Sequence, residues 1–334
     1  MYDRGASEKR AIRTALVTKR YLVRVCKQWH VLAVPFLYES IYIGWWHVLP
    51  SLRDTLLESE RRSREGPDDR PALGWWTLRL DVAIRTANTN VEKGFLNSPG
   101  YYALVDIIHC LPHLETFSSR WMPNFLEVGL AVGAPSPVAE ALKQTCCASL
   151  RRIFWPDVSE SPERIDGLLA ALPSLVTLSH FDTPMRCPLY MPFPPTLEYL
   201  SLPNCAKFHV DPPGPPNPTL PCPSLRQISL HDYEQSDLIC LHRFLAVQGA
   251  TVSTVYIYIK HFRGTLRPSI NILNHHCPNL QHLVTVFRKW MPFPDSTNLL
   301  TVTYLGLYLP DQGCDEDYRV IFTIDIAMHL RMYI

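Results

Sequence analysis

Three groups of residues in this 334-residue chain carry side chains able to do chemistry: the thiols Cys146-Cys147, the cluster His275-His276-Cys277 and the acids Asp315-Glu316-Asp317. Thiolates and imidazoles point to zinc. Adjacent residues splay apart, however, and no C-x-x-C pair stands ready to complete a tetrahedral site. The three acids point to a hard cation, but successive residues project in different directions on a helix or strand, so a solvated turn or helix start is expected there. His109, His113 and His180 fall near element ends, where a capped or half-exposed imidazole is the ordinary outcome. No nucleophile elbow, P-loop, dinucleotide fingerprint or zincin helix occurs, and 14 glycines leave little for phosphate-cradling loops. The chemistry therefore points to a binding module, with no catalytic residue, metal site or cofactor expected.

Composition narrows the partners. Lys plus Arg number 32 against 31 Asp plus Glu, and a net charge of +1 provides no field for a polyanion, so nucleic acid is not expected. No apolar stretch reaches the ~18 residues of a membrane span, and the first turns carry charges in place of a signal-peptide core. Ten cysteines and the lack of any N-x-[ST] sequon fit a reducing compartment, cytoplasmic or nuclear, with the thiols acting as small core hydrophobes. A hydrophobic share of 47% is enough for a sizeable core.

That core is written as a repeat. The motif P-x-L-x-x-[LFIW] occurs with its leucine at 73, 114, 175, 197, 225 and 280, and matches without proline have anchors at 150, 252 and 299. The spacing between 150 and 280 averages 26 residues, and Leu197-x-x-Leu200-x-Leu202-x-x-Cys205 fits a leucine-rich repeat directly. A short strand with leucines alternating inward cannot bury its face alone, so copies must stack. The fold class is accordingly α/β, a leucine-rich-repeat-like solenoid with a curved parallel sheet. The prolines are expected to stop the preceding helix and to extend the chain into the strand. Helical spacing predicts helices over Tyr101–Cys110, Pro137–Cys146, Ser161–Leu172, Ser236–Gln248 and Pro268–Cys277. Met185–Pro195 and Asp211–Pro223 are too proline-rich for helix, and irregular packing is expected after about residue 310.

Ahead of the repeats lies VCKQWHVLAVPFLYESIYI, Val25 to Ile43. Val25, Trp29 and Leu32 fall on one helical stripe, widened by Cys26, Ala33 and Phe36, and the run after Pro35 leads toward a strand. V-C-K-x-W followed by A-x-P-F-L-Y-E-S-I resembles the second half of the F-box in mushroom-type fungal F-box proteins. LPSLRDTLLES and GWWTLRLDVAI resemble the stretches that follow it there. The resemblance implies a partial helical F-box over 1–48, a connecting helix and charged loop over 49–70, and the repeat domain over 71–334.

It further implies a substrate-recognition adaptor of a cullin-based ubiquitin ligase, with Val25, Cys26, Trp29, Pro35 and Leu37 contacting a Skp-type adaptor and the repeats holding a protein substrate. The family's opening L-P-x-E-[IL] helix has no counterpart here, so weak or no adaptor binding by this chain is expected. The alternative is a leucine-rich-repeat interaction scaffold without a ligase role. Glu58–Arg70 is expected to be a solvated loop with no binding role.

In L-x-x-L-x-L, residues flanking the inner leucines point away from the core. That pattern selects Arg152, Phe154, Tyr199, Ser201, Gln227, His231, Tyr256 and Tyr258 as partner contacts. Tyr199 and Tyr256 are expected to be exposed and to form one ridge with Gln227.

Overall fold

The computed structural model describes residues 14–66, 70–83, 99–119, 137–154, 167–179, 193–202, 221–230, 238–259, 266–287, 301–310 and 318–325. The chain divides into two compact units, Ser7–Leu175 and Val176–Ile334.

In the first unit, helix α1 (14–22) and α2 (Lys27–Tyr38) lead into strand β1 (Ser40–Ile43). The long α3 (Leu49–Glu65), β2 (Arg79–Val82), α4 (Pro99–His109), β3 (Thr116–Ser119), α5 (Pro137–Cys146) and β4 (Arg152–Phe154) follow. β1 to β4 pair in chain order, all parallel, with α4 packed between α3 and α5. The second unit carries β5 (Thr177–Ser179), β6 (Tyr199–Leu202), β7 (Gln227–Leu230), α6 (Leu238–Gln248), β8 (Thr254–Ile259), α7 (Arg267–His276), β9 (His282–Phe287) and β10 (Tyr304–Pro310). Its strands too are parallel neighbours in chain order, until β11 (Tyr318–Asp325) pairs antiparallel with β10. The architecture is α/β and leucine-rich-repeat-like, with parallel strands stacked by repetition. The antiparallel β11, with a register shift against β10, is the irregular packing expected after about residue 310, and it covers the edge that β10 would otherwise expose.

One local rule generates the rungs. Leu114, Leu175, Leu197, Leu225 and Leu280 each donate their amide to the carbonyl three residues back, at 3.1–3.2 Å. Proline stands at the second position of all five turns, where its fixed φ is already correct. Turn formation is thus its main task, ahead of the helix-stopping role expected from sequence. Two residues after each anchor the strand starts. The carbonyl just before the strand accepts two amides from the next rung, as Glu198 does from Arg226 and Gln227 at 2.9 and 3.0 Å. The anchors at 114, 150, 175, 197, 225, 252 and 280 are fully buried, as are Leu178, Leu200 and Leu283 behind them.

Two anchors are corrected. Leu73 lies in a 3-10 turn (Leu73–Trp76), and the buried Thr77 takes its place, its hydroxyl donating to the Tyr38 carbonyl at 2.9 Å. A polar residue was overlooked because a leucine pattern cannot see a side chain whose hydrogen bond is made by the neighbouring rung. Near the end Val302 is the buried anchor before β10, while Leu299 lies outside the described residues.

Four turns begin at a cramped position. Cys146 donates its thiol to the Leu111 carbonyl at 3.5 Å, and Cys222 donates to the Pro194 carbonyl at 3.3 Å. Both acceptors belong to the first position of a preceding rung's turn. At Gly74 and Gly249 the same position admits no side chain: a Cβ would lie 2.0 Å from the Cys110 carbonyl oxygen or 2.5 Å from that of His276. Burial pushes the thiols of Cys110, Cys146 and Cys277 up to about 12, and Glu60 beside Cys110 adds to its shift.

Candidate interaction surfaces

Helix α2 starts where Cys26, in extended conformation, caps it; its sulfur accepts from the Trp29 amide at 3.5 Å. Pro35 removes one backbone donor in the last turns, and the helix ends at Tyr38. The chain then enters the ladder directly. Glu39 gives its carbonyl to the amides of Leu78 and Arg79 at 2.9 and 3.1 Å, and its carboxylate meets Lys19 of α1 at 3.1 Å. These bonds fix α2 to the first rung.

On this fixed helix Trp29, Leu32 and Phe36 recur at spacings of three and four and are 47%, 66% and 62% exposed. Val25, in the turn before the helix, is exposed as well, and so is Cys26. Ala33 is buried, while Pro35 and Leu37 are half-buried on other sides of the helix. Of the face expected from sequence, Trp29, Leu32 and Phe36 lie bare on the helix, Val25 and Cys26 precede it, and Ala33 is buried.

Register decides the outward face of the strands. In the first unit one outward row runs Ser40, Arg79, Thr116, Arg152 and the next Tyr42, Asp81, Ser118, Phe154. Arg152 is exposed and Phe154 half-buried, whereas Asp81 is buried and held by the Arg79 guanidinium at 2.6 Å. In the second unit the rows are Thr177, Tyr199, Gln227, Thr254, His282, Tyr304 and then Ser201, Ser229, Tyr256, Val284, Gly306.

Two expectations fail here. Tyr199 and Ser201 are buried, 7% and 0% exposed. The small Ser229 on the neighbouring strand leaves room for the Tyr199 ring to fold down, and the tyrosine hydroxyl donates to Ser229 Oγ at 3.0 Å. Burial raises the Tyr199 phenol above its ordinary value. The single ridge is also corrected: Tyr199 and Gln227 share a row, but Tyr256 pairs with Ser229 one row further along the strands. Gln227, Tyr256 and Tyr258 are half-buried, and His231 lies outside the described residues.

The charged run is likewise different from expectation. α3 continues through Glu65, laced by Glu58 with Arg61 and Arg62 at 2.9 and 2.7 Å and by Glu60 with Arg64 at 2.6 Å. Pairs at these spacings support a helix that composition alone reads as loop. Hydrogen bonds from Arg61, then Arg62, hold the Glu58 carboxyl down to about 2.

Beside α3 is a cleft of about 470 Å³ that sequence reasoning missed; α2 lines one side and Arg70 to Trp76 another. Of the exposed Trp45, Trp46, Trp75 and Trp76, Trp76 lines it, and no local sequence pattern marks the cleft. Among the described residues, no cluster of three His, Cys, Asp or Glu is arranged to hold a metal ion, and no helix is long and apolar enough to cross a membrane.

No family model matches the chain, and no curated protein matches it. Among solved structures, a chain from the crystal structure of the Rad7 and Elc1 complex in yeast is similar at 12% identity and a TM-score of 0.27, over 73% of this chain and 74% of that one.

Proposed function

We propose that the protein is an F-box-type substrate-recognition adaptor of a cullin-based ubiquitin ligase. The Trp29–Leu32–Phe36 stripe docks a Skp-type adaptor, and the outward strand residues, Gln227 and Tyr256 foremost, hold a protein substrate. The bare stripe on a helix fixed to the first rung carries this reading. An amphipathic helix with a tryptophan anchor at regular spacing suits burial in a partner's groove, and aromatic anchors dominate such interfaces. The function is one of binding, without a catalytic step.

The test is a titration of the full chain against a purified Skp-type adaptor, alongside a Trp29→Ala, Leu32→Ser, Phe36→Ser triple variant. Weak saturable binding is expected for the natural sequence, and at least a tenfold loss, about 1.4 kcal/mol, for the triple variant with unchanged thermal stability. Absence of saturable binding, or equal binding by the triple variant, overturns the ligase role. Captured partners that still depend on Gln227 and Tyr256 would then leave an interaction scaffold.

A further inference from the structure

The balanced charge of the whole chain hides a segregation. Residues 1–38 hold eight Lys or Arg against two acids, a net +6, while the remainder, 24 against 29, is −5. Residues 1–13 lie outside the described residues, and by sequence they too are cationic, four against two. From 14 to 38, a stretch that covers α1, the turn after it and α2, no Asp or Glu occurs. The next carboxylate along the chain, Glu39, is taken by Lys19 at 3.1 Å. Arg20, Arg24 and Lys27 are exposed and form no ion pair among the described residues.

Apolar side chains share that exposed ground. On α1, Leu16, Lys19 and Leu22 are half-buried, whereas Val17 and Tyr21 are exposed together with Arg20. The turn that follows is closed by the amides of Arg24 and Val25, which donate to the Tyr21 and Leu22 carbonyls at 3.0 and 3.2 Å, and both of its side chains are exposed. Trp29, Leu32 and Phe36 continue the bare series on α2. Short helices that expose Tyr, Trp, Leu and Phe beside free cations match elements that lie in the plane of a membrane interface. Apolar insertion and the attraction of Lys and Arg to anionic headgroups then act together, where either alone binds weakly. A protein partner needs a groove shaped to each of these unequal side chains, whereas a lipid surface takes them without one. Among the described residues no helix is long and apolar enough to cross a membrane, so the contact is with the surface.

We propose that α1, α2 and the turn between them dock the chain on an anionic lipid surface, with Tyr21, Trp29 and Phe36 at headgroup depth and Arg20, Arg24 and Lys27 among the anionic headgroups. The proposal does not rest on the ligase reading. It uses some of the same side chains, so lipid and adaptor exclude one another. Vesicles carry no adaptor, and the two readings therefore fail separately.

The experiment is co-sedimentation of the full chain with vesicles of phosphatidylcholine alone or with roughly 30% phosphatidylserine. Saturable binding to the serine-containing vesicles is expected, at least tenfold tighter than to the neutral ones and released as NaCl rises from about 0.1 to about 0.5 M. The Arg20→Glu, Arg24→Glu, Lys27→Glu triple variant should lose at least tenfold. An equal charge change at three exposed sites elsewhere, Arg151→Glu, Arg243→Glu, Arg267→Glu, should leave binding nearly unchanged. The lipid and salt comparisons use the natural chain, so they decide even where a variant fails to fold. Binding no tighter than to neutral vesicles, insensitivity to salt, or an equal loss in both triple variants would each overturn the proposal. Binding to polyglutamate without binding to either vesicle would overturn it in favour of an acidic protein partner.

Discussion

The turns of the ladder and helix α2 use apolar residues in opposite ways. At the turns every anchor is buried, thiols donate to the preceding rung, and two glycines stand where a methyl group would strike backbone. On α2, a tryptophan, a leucine and a phenylalanine at equally regular spacing stay in water. Spacing alone marks an apolar face. Whether that face is core or interface depends on what the rest of the fold brings against it.

Substitutions at the turns should break this contrast most severely. Gly74→Val or Gly249→Val forces a side chain into the carbonyl of the next rung, and a loss in the exceptional class above ~4 kcal/mol is expected, seen as failure to fold or a collapse of Tm. Trp29→Ala, on the exposed stripe, should stay within ~0.5 kcal/mol. Comparable losses at the two places would show that α2 is covered within the molecule.

Next in size is the ladder core. Leu200→Ala should lose about 3 kcal/mol in chemical denaturation, because a fully buried leucine leaves a cavity that the paired strands cannot close. Leu32→Ala should lose almost none.

The thiols sharpen the comparison through pH. Their ordinary value is near 9, and in the folded chain Cys110, Cys146 and Cys277 are pushed up to about 12. The unfolded chain releases these protons first, so the contribution is complete below about 9 and is lost as pH rises toward 12. Stability should therefore fall across that alkaline window. Cys277→Ala, without that ionisation, should flatten the fall. In native alkylation followed by mass spectrometry, the exposed Cys26 should react while Cys146 and Cys277 stay protected until unfolding.

The smallest effect lies at the acid end. His276 sits edge-on to His242 and His275, with ring centroids 4.6 Å apart in each pair. Burial first, then the two neighbouring imidazoles, lowers its pKa from 6.5. A base depressed in the folded state contributes stability above the unfolded value, lost as pH falls below about 6.5. His276→Gln should remove part of that slope; an unchanged slope would assign it elsewhere.

By itself the sequence determined the repeat, the approximate rungs and the helices α4 to α7, because burial of one strand face imposes a periodic leucine and each turn favours proline in one place. It likewise determined that Trp29 and Leu32 share a helical face, which needs only 3.6 residues per turn. Tyr256 belongs to a different row from Gln227 because it stands four residues after its anchor and Gln227 two, an offset already legible in the repeat. Only the tertiary structure decided the rest. Thr77 serves as an anchor because the rung before it supplies a carbonyl, and Tyr199 is buried because a serine, not a larger residue, sits on the adjacent strand. The cleft joins Val34 to Leu73 and Arg62, which lie on separate elements, and no local pattern encodes their approach. Side-chain periodicity is written along the chain, whereas contact between elements depends on the sizes and hydrogen bonds of residues far apart in it.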